Sequence, residues 1–175
     1  TVNDSPTVPT NTGTSVAEGG SVTITTAMLD AADVDDSGVG LVWTITGGLA
    51  NGQLELSTNP GVSIGSFTQD DLDNNRVVYV HDDSQTSADS FDFSLADGGE
   101  DGASAVTGTF NFTVTNVNDA PVNTVPGAQS VNEDTSLSIG GLSVTDDDDN
   151  LSTVQLTVSN GTLNVTLQGA ASVSA

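Results

Sequence analysis

Apolar and polar residues alternate along this chain at a period of two, in short runs separated by turn-forming residues. The runs are Val22/Ile24, Leu41/Trp43/Ile45, Leu54/Leu56, Val77/Tyr79, Phe91/Phe93/Leu95 and Phe110/Phe112/Val114. Successive side chains of an extended backbone point to opposite faces, so each run reads as a half-buried strand. Gly47-Gly48, Asn51-Gly52, Asn59-Pro60-Gly61, Asp73-Asn74-Asn75 and Asp97-Gly98-Gly99 punctuate them as turns. Six or seven strands in about 110 residues, with few strong helix formers, predict an all-β fold, an antiparallel Greek-key β-sandwich. Trp43 and the Phe pairs fall on one face of their runs, which assigns them to a core rather than to a ligand platform.

The pattern then starts again. Val2–Pro6 (VNDSP) returns as Val117–Pro121 (VNDAP), and Glu18 returns as Glu133, each 115 positions on; Asp33–Asp36 (DVDD) returns as Asp146–Asp149 (DDDD). In the second copy Ser136–Ile139, Leu142–Val144, Val154–Val158 and Leu163–Leu167 match early strands, and Asn160-Gly161 and Leu163 echo Asn51-Gly52 and Leu54. Nothing there corresponds to Val77–Val80, Phe91–Leu95 or Phe110–Val114. About 55 residues cannot close a seven-stranded sandwich, and an open edge is a pairing hazard. A truncated copy, a disordered end and strands supplied by another chain are the three outcomes. The organisation expected is the end of a preceding linker at 1–9, a complete repeat at 10–115, a linker at 116–121 and a partial second repeat at 122–175. A chain that opens at Thr1 inside a repeat motif reads as a piece of a longer protein.

Charge narrows the partners. Twenty-four acidic residues face one basic residue, Arg76, for a net charge of −23. Without cations the chain cannot displace counterions from nucleic acid, and it should avoid anionic membrane surfaces. Its natural small partners are cations, although acidity alone also serves solubility. Cysteine is absent, so neither disulfides nor thiolate metal sites are available, and a small extracellular domain needs another staple. No stretch approaches the roughly 20 apolar residues of a membrane span.

Ca²⁺ takes six to eight hard oxygens from carboxylates, amide carbonyls and water. In extended backbone Asn116 and Asn118 point the same way beside Asp119, Pro121 stiffens the exit, and Asp146 and Asp148 present two carboxylates on one side. Like charges this dense repel unless a cation intervenes. The competing reading of each acid is a turn residue that accepts from its own backbone. Catalysis is not expected: the one histidine, His81, has no nucleophile in its pattern, and no phosphate-binding glycine loop precedes a helix. Paired carboxylates could serve glycoside hydrolysis, but these sit in turns without an aromatic sugar platform.

The segments EGGSVTI (18–24), FTQDDLDNNRVVYVHDDSQTSADSFDFSLADGG (67–99) and NVNDAP (116–121) resemble the cadherin-like tandem repeats of large bacterial surface adhesins. The first copy is most similar to the chondroitin-sulfate-proteoglycan and RTX-adhesin types of repeat, and the likeness covers residues 10–121 and, less fully, 122–175. It implies a cadherin/Ig-like sandwich with Ca²⁺ at the joints between repeats. Residue by residue, the resemblance assigns one joint to Glu18, Asp82, Asp83, Asn116, Asn118, Asp119, Asp146 and Asp148. Asn116 stands where the family has its first Asp, and Ser84 where it has its second mid-domain acid. A second joint, incomplete without a preceding domain, falls to Asn3, Asp4, Asp33, Asp35 and Asp97.

The function expected is a non-catalytic spacer of a secreted or bacterial cell-surface adhesin, with Ca²⁺ as its cofactor and neighbouring repeats as its partners. A glycan or host-surface protein would be met through other domains. The alternatives are a glycan- or protein-recognition module, an accessory domain of a secreted enzyme, and a strand-exchanging polymer subunit. A flat exposed aromatic face would mark a glycan binder, and its lack a spacer.

Overall fold

The computed structural model describes residues 3–98 and 102–165. The chain forms two compact units, Thr1–Asn118 and Asp119–Ala175. The first contains β1 (Thr7–Asn11), β2 (Thr14–Ala17), β3 (Ser21–Thr23), β4 (Leu29–Ala32), β5 (Val42–Gly47), β6 (Gly52–Leu56), β7 (Ser66–Thr68), helix α1 (Gln69–Asp73), β8 (Val77–His81), β9 (Ala88–Ala96) and β10 (Val106–Thr115). A five-stranded sheet runs β2-β10-β9-β5-β7, with β2 parallel to β10 and the other neighbours antiparallel. A three-stranded antiparallel sheet, β3-β8-β6, faces it, and β1 and β4 form a separate ribbon.

The expected alternation is realised most clearly in β9, where Asp89, Phe91, Phe93 and Leu95 all turn inward. The two sheets meet through Tyr79 of β8, whose ring stacks on Phe112 of β10 at 3.8 Å between centroids. Trp43 packs edge-on against Phe93 at 4.9 Å and parallel to Phe67 at 5.9 Å. Every aromatic residue of the chain lies in this core, none more than 3% exposed. Truncating any one to Ala removes about 3–5 kcal/mol.

The sequence pattern did not show β1, β2, β4 and β7. Three to five residues give too few alternations, and tertiary pairing defines them instead. β1 begins at Thr7, inside the stretch assigned above to a linker, and its register slips between Thr7 and Thr10 because Pro9 has no N–H to give the ladder.

The Asp73–Asn75 turn ends a helix that was also unforeseen. Thr68 and Asp71 form a capping box at its start. At its end Arg76 N–H donates to Asp71 O (2.8 Å) and Asn75 N–H to Leu72 O (2.9 Å), with Asn75 left-handed at φ 55°. That is a Schellman stop with Asn in glycine's place. The Arg76 guanidinium grips both Asp70 and Asp71. Burial pushes the Asp71 carboxyl up, but hydrogen bonds from Thr68 and Arg76 outweigh it and hold the group below the usual carboxylate range.

Among the described residues of the second unit only β11 (Val122–Thr124) and β12 (Ser143–Thr145) pair, antiparallel. β12 falls where Leu142–Val144 was expected. Ser136–Ile139, Val154–Val158 and the described part of Leu163–Leu167 form no strand, and residues 166–167 lie outside the described residues. Leu137, Ile139, Val154, Leu156, Val158, Leu163 and Val165 are 43–56% exposed. Alternation marks a face but cannot supply a ladder; among the described residues of this unit no strand takes the places of β8, β9 and β10.

Candidate functional site

Within the first unit, the acidic residues singled out by the repeat gather at the two ends of the sandwich. β4 and β9 finish at one end. There Asp33 Oδ1 accepts the N–H groups of Asp35 (2.8 Å) and Asp36 (2.9 Å), an Asx turn. Asp35 Oδ2 accepts the N–H of Asp4 (3.1 Å), and Asn3 Nδ2 donates to Oδ2 of the buried Asp97 (3.1 Å). Asn3, Asp4, Asp33, Asp35 and Asp97 are thus brought together. The Oδ2 atom of Asp33 is buried without a hydrogen-bond partner. Val2 and Gly99, which belong to the motifs there, lie outside the described residues.

β2 and β10 finish at the other end. Glu18 follows β2 and is 6% exposed. Its Oε2 accepts the N–H of Val117 (3.1 Å), while its Oε1 is buried with no partner. His81, at the end of β8, pins the surrounding turns. Its Nδ1 accepts N–H groups from Gly19 and Asp83, both at 3.2 Å, and its Nε2 faces Thr86 Oγ1 at 3.0 Å. Gly19 is left-handed (φ 61°), and a Cβ on it would stand 2.3 Å from Asp83 Oδ1. Only glycine admits this approach. His81 is therefore a structural pin, in keeping with its place in the repeat.

Asp82 Oδ1 accepts the hydroxyl of Ser84 (2.6 Å) and its N–H (3.1 Å), which hold the Asp82 carboxyl below its usual range. Ser84, the departure from the family's acid, therefore engages the neighbouring acid directly. Asn116 Nδ2 donates to Gln85 Oε1 at 3.3 Å, and Asn118 is exposed at the end of the unit. In the second unit Asp148 Oδ2 accepts the N–H of Asp119 (2.5 Å), and Asp146 Oδ1 accepts that of Asp148 (3.1 Å).

The two sets within the first unit lie at opposite ends of β9, whose nine residues span roughly 30 Å. Among the described residues, no three or more His, Asp or Glu side chains stand at metal-chelating spacing. The carboxylates instead accept from backbone N–H groups, and Glu18 Oε1 and Asp33 Oδ2 remain as buried oxygens with nothing to accept from.

Two buried polar residues escaped the sequence reading. Asp89 Oδ2 accepts the Tyr79 hydroxyl (2.7 Å) and the Asn51 N–H (3.2 Å), and its Oδ1 accepts the N–H groups of Ser90 (2.9 Å) and Ala50 (3.2 Å). Burial, then the bond to Asp89, pushes the Tyr79 hydroxyl far above its ordinary range. Gln69 saturates its amide: Oε1 accepts from Ala31 N–H (3.1 Å) and Trp43 Nε1 (3.3 Å), and Nε2 donates to Asp30 (2.7 Å) and Asp73 (2.9 Å). Asp89 could have been found, because it occupies the inward register of the Phe91/Phe93/Leu95 run. Gln69 carried no such signal. Both hold the fold and leave no valence for a ligand.

A family model described as cadherin-like matches residues 6–114. The chain is 41% identical over 115 residues to FRAS1-related extracellular matrix protein 2 of Homo sapiens, covering 65% of this chain and 4% of that protein. It is 39% identical over 114 residues to extracellular matrix protein 3 of Lytechinus variegatus (64% and 4%) and 38% identical over 98 residues to chondroitin sulfate proteoglycan 4 of Homo sapiens (55% and 4%). The chain thus spans about 4% of the length of these relatives.

Proposed function

This chain belongs to the cadherin-like family, and from that membership we propose that it is a non-catalytic extracellular spacer whose joints to neighbouring repeats are rigidified by Ca²⁺. The observation that carries the proposal is the pair of partnerless buried oxygens, Glu18 Oε1 and Asp33 Oδ2, one in each acidic set. A buried carboxylate oxygen without a donor costs free energy that a divalent cation would offset. Glu18, Asp82, Asp83, Asn116 and Asn118 would hold an ion in the first unit, and Asp119, Asp146 and Asp148 are the candidates in the second. Asn3, Asp4, Asp33, Asp35 and Asp97 would serve the other joint. Bound Ca²⁺ supplies charge and rigidity there and no chemistry. Drawing the carboxylates away from the N–H groups they now accept costs part of the gain, which suits the 10⁻⁴–10⁻³ M affinity of extracellular modules.

The named relatives are extracellular matrix proteins and a proteoglycan, which supports an extracellular setting. The bacterial cell surface expected from the adhesin resemblance is a narrower form of the same proposal. Burial of all seven aromatic residues leaves no ring for stacking a sugar, and that favours a spacer over a glycan-recognition module.

The test is a thermal melt in millimolar Ca²⁺, in excess chelator and in Mg²⁺. At 100-fold excess over the dissociation constant one site adds about 2.7 kcal/mol, so Tm rises by roughly 10 °C for a domain of this size. Glu18→Gln and Asp33→Asn each remove part of that rise and leave the chelated protein no less stable, because each deletes an uncompensated charge. A melt indifferent to Ca²⁺ would sink the proposal and leave the acids as solvated turns.

A further inference from the structure

Two Asn-Gly dipeptides occupy equivalent places in the repeat, and their environments are opposite. Asn51 is held at its backbone N–H, its carbonyl and its side-chain nitrogen. Its N–H donates to Asp89 Oδ2 (3.2 Å) and its Nδ2 to Ala88 O (3.4 Å), and its carbonyl accepts from the Asp82 N–H (3.0 Å), with the Tyr79 hydroxyl oxygen 3.2 Å away. Gly52 opens β6 opposite His81, so tightly that a Cβ would lie 2.4 Å from Val80 O. Asn160 is exposed, and Gly161 stands at φ +116° with nothing within 4 Å of where its Cβ would be. Among the described residues, none hydrogen-bonds to either.

We propose that Asn160-Gly161 is a site of spontaneous deamidation on the second unit, and that Asn51-Gly52 is its protected counterpart. The reaction needs only water. The Gly161 nitrogen gives up its proton to hydroxide and attacks Cγ of Asn160, so a C–N bond forms and a five-membered succinimide closes. The Cγ–Nδ2 bond breaks and the nitrogen leaves as ammonia. Water then opens the ring at one carbonyl or the other, giving aspartate or isoaspartate. Ring closure requires a rotatable side chain, a backbone nitrogen outside any ladder, and no side chain on the following residue to block approach. Asn160 meets all three conditions. Asn51 fails the first, since Nδ2 is tethered, and the backbone that must turn to close the ring is fixed at the start of β6, where the Asn51 carbonyl accepts the Asp82 N–H.

The lock on Asn51 comes from Tyr79, Asp82, Ala88 and Asp89, which lie in β8, in β9 and between them. No strand takes those places among the described residues of the second unit, so its Asn-Gly pair is open for the same reason that its apolar face is. The modification adds one negative charge and, in the isoaspartyl form, one extra backbone carbon.

The experiment incubates the whole chain at mildly alkaline pH, cleaves it with an acid-specific endoprotease, and follows each Asn-Gly peptide by mass and chromatography. In the native chain Asn160 converts with the mass change of NH₂ replaced by OH, and Asn51 lags by at least ~30-fold, because it reacts only through local opening. In concentrated urea the two convert within about 3-fold of each other, local protection having gone. Native Asn51 keeping pace with Asn160 overturns the proposal. So does a native Asn160 rate more than ~10-fold below its own rate in urea, which would mean that structure shields it. The N160Q variant loses the acidic product at that site and keeps the wild-type melt.

Discussion

Removing the hydroxyl of Tyr79 separates the polar and aromatic contributions at the centre of the first sandwich. The Tyr79→Phe ring still stacks on Phe112, and Asp89 keeps its three N–H donors from Ala50, Asn51 and Ser90. What is lost is one buried hydrogen bond, the single phenolic proton on the Asp89 carboxylate at 2.7 Å, with Asn51 O a secondary contact at 3.2 Å. Bonds to charged groups contribute about 1.5–3 kcal/mol, so urea unfolding followed by Trp43 fluorescence should show a loss of that size. The same bond has a pH signature. The chain holds one tyrosine, no lysine and no cysteine, so little but Tyr79 titrates between the N-terminal amine and arginine. The folded hydroxyl is raised by burial and by Asp89, while the unfolded one ionises near pH 10. The unfolded state therefore binds fewer protons above pH 10. Stability is fully present below that value and falls by about 1.4 kcal/mol per pH unit above it, about 2 kcal/mol by pH 11.5. Tyrosinate absorbance should appear only as the protein unfolds, and Tyr79→Phe should flatten the alkaline slope. Reversible tyrosinate formation near pH 10 in protein that remains folded would refute both the burial and the hydrogen bond.

Gly52→Ala should cost more than about 2 kcal/mol by thermal melt, since the new methyl meets Val80 O at 2.4 Å and Tyr79 Oη at 2.6 Å; Gly127→Ala, in open space, should stay within about 0.5 kcal/mol. Gln69→Leu should lose about 2–4 kcal/mol in urea unfolding, because the Ala31 N–H and the Trp43 indole N–H are left buried without an acceptor; a change under about 0.5 kcal/mol would show that water replaces the amide.

The strands that carry the core were legible because each repeats its apolar choice two or three times. Phe91, Phe93 and Leu95 need no context to be read as one face of a strand. β2 and β7 offer one buried side chain each, Val16 and Phe67, and only their neighbours make strands of them. Helix α1 carried a local signal as well: Thr68 followed three places on by Asp71 is a capping box, masked by the Asp73-Asn74-Asn75 turn just beyond it. The second unit shows the converse. Its alternation is as regular as that of the first, yet alternation specifies a face and leaves pairing to strands elsewhere. At the acidic ends, the family resemblance grouped Asn3, Asp4, Asp33, Asp35 and Asp97, and strand ends that converge in the sandwich let Asn3 donate to Asp97 and Asp4 to Asp35. It had no access to which oxygens would be orphaned, since burial at Glu18 and Asp33 depends on how Gly19, His81 and the 33–36 turn close around them.

The Schellman stop after α1 has a consequence for proteolysis. Arg76 is the only residue in these 175 positions that a trypsin-like protease can recognise. Its backbone N–H is tied to Asp71, its side chain is clamped by two carboxylates, and the peptide bond that follows enters β8 at the fully buried Val77. A protease must draw several flanking residues into an extended cleft, which here means pulling β8 out of the sandwich. Cleavage by that class of enzyme should therefore wait on an opening of the fold itself, so that its rate measures how often the sandwich comes apart.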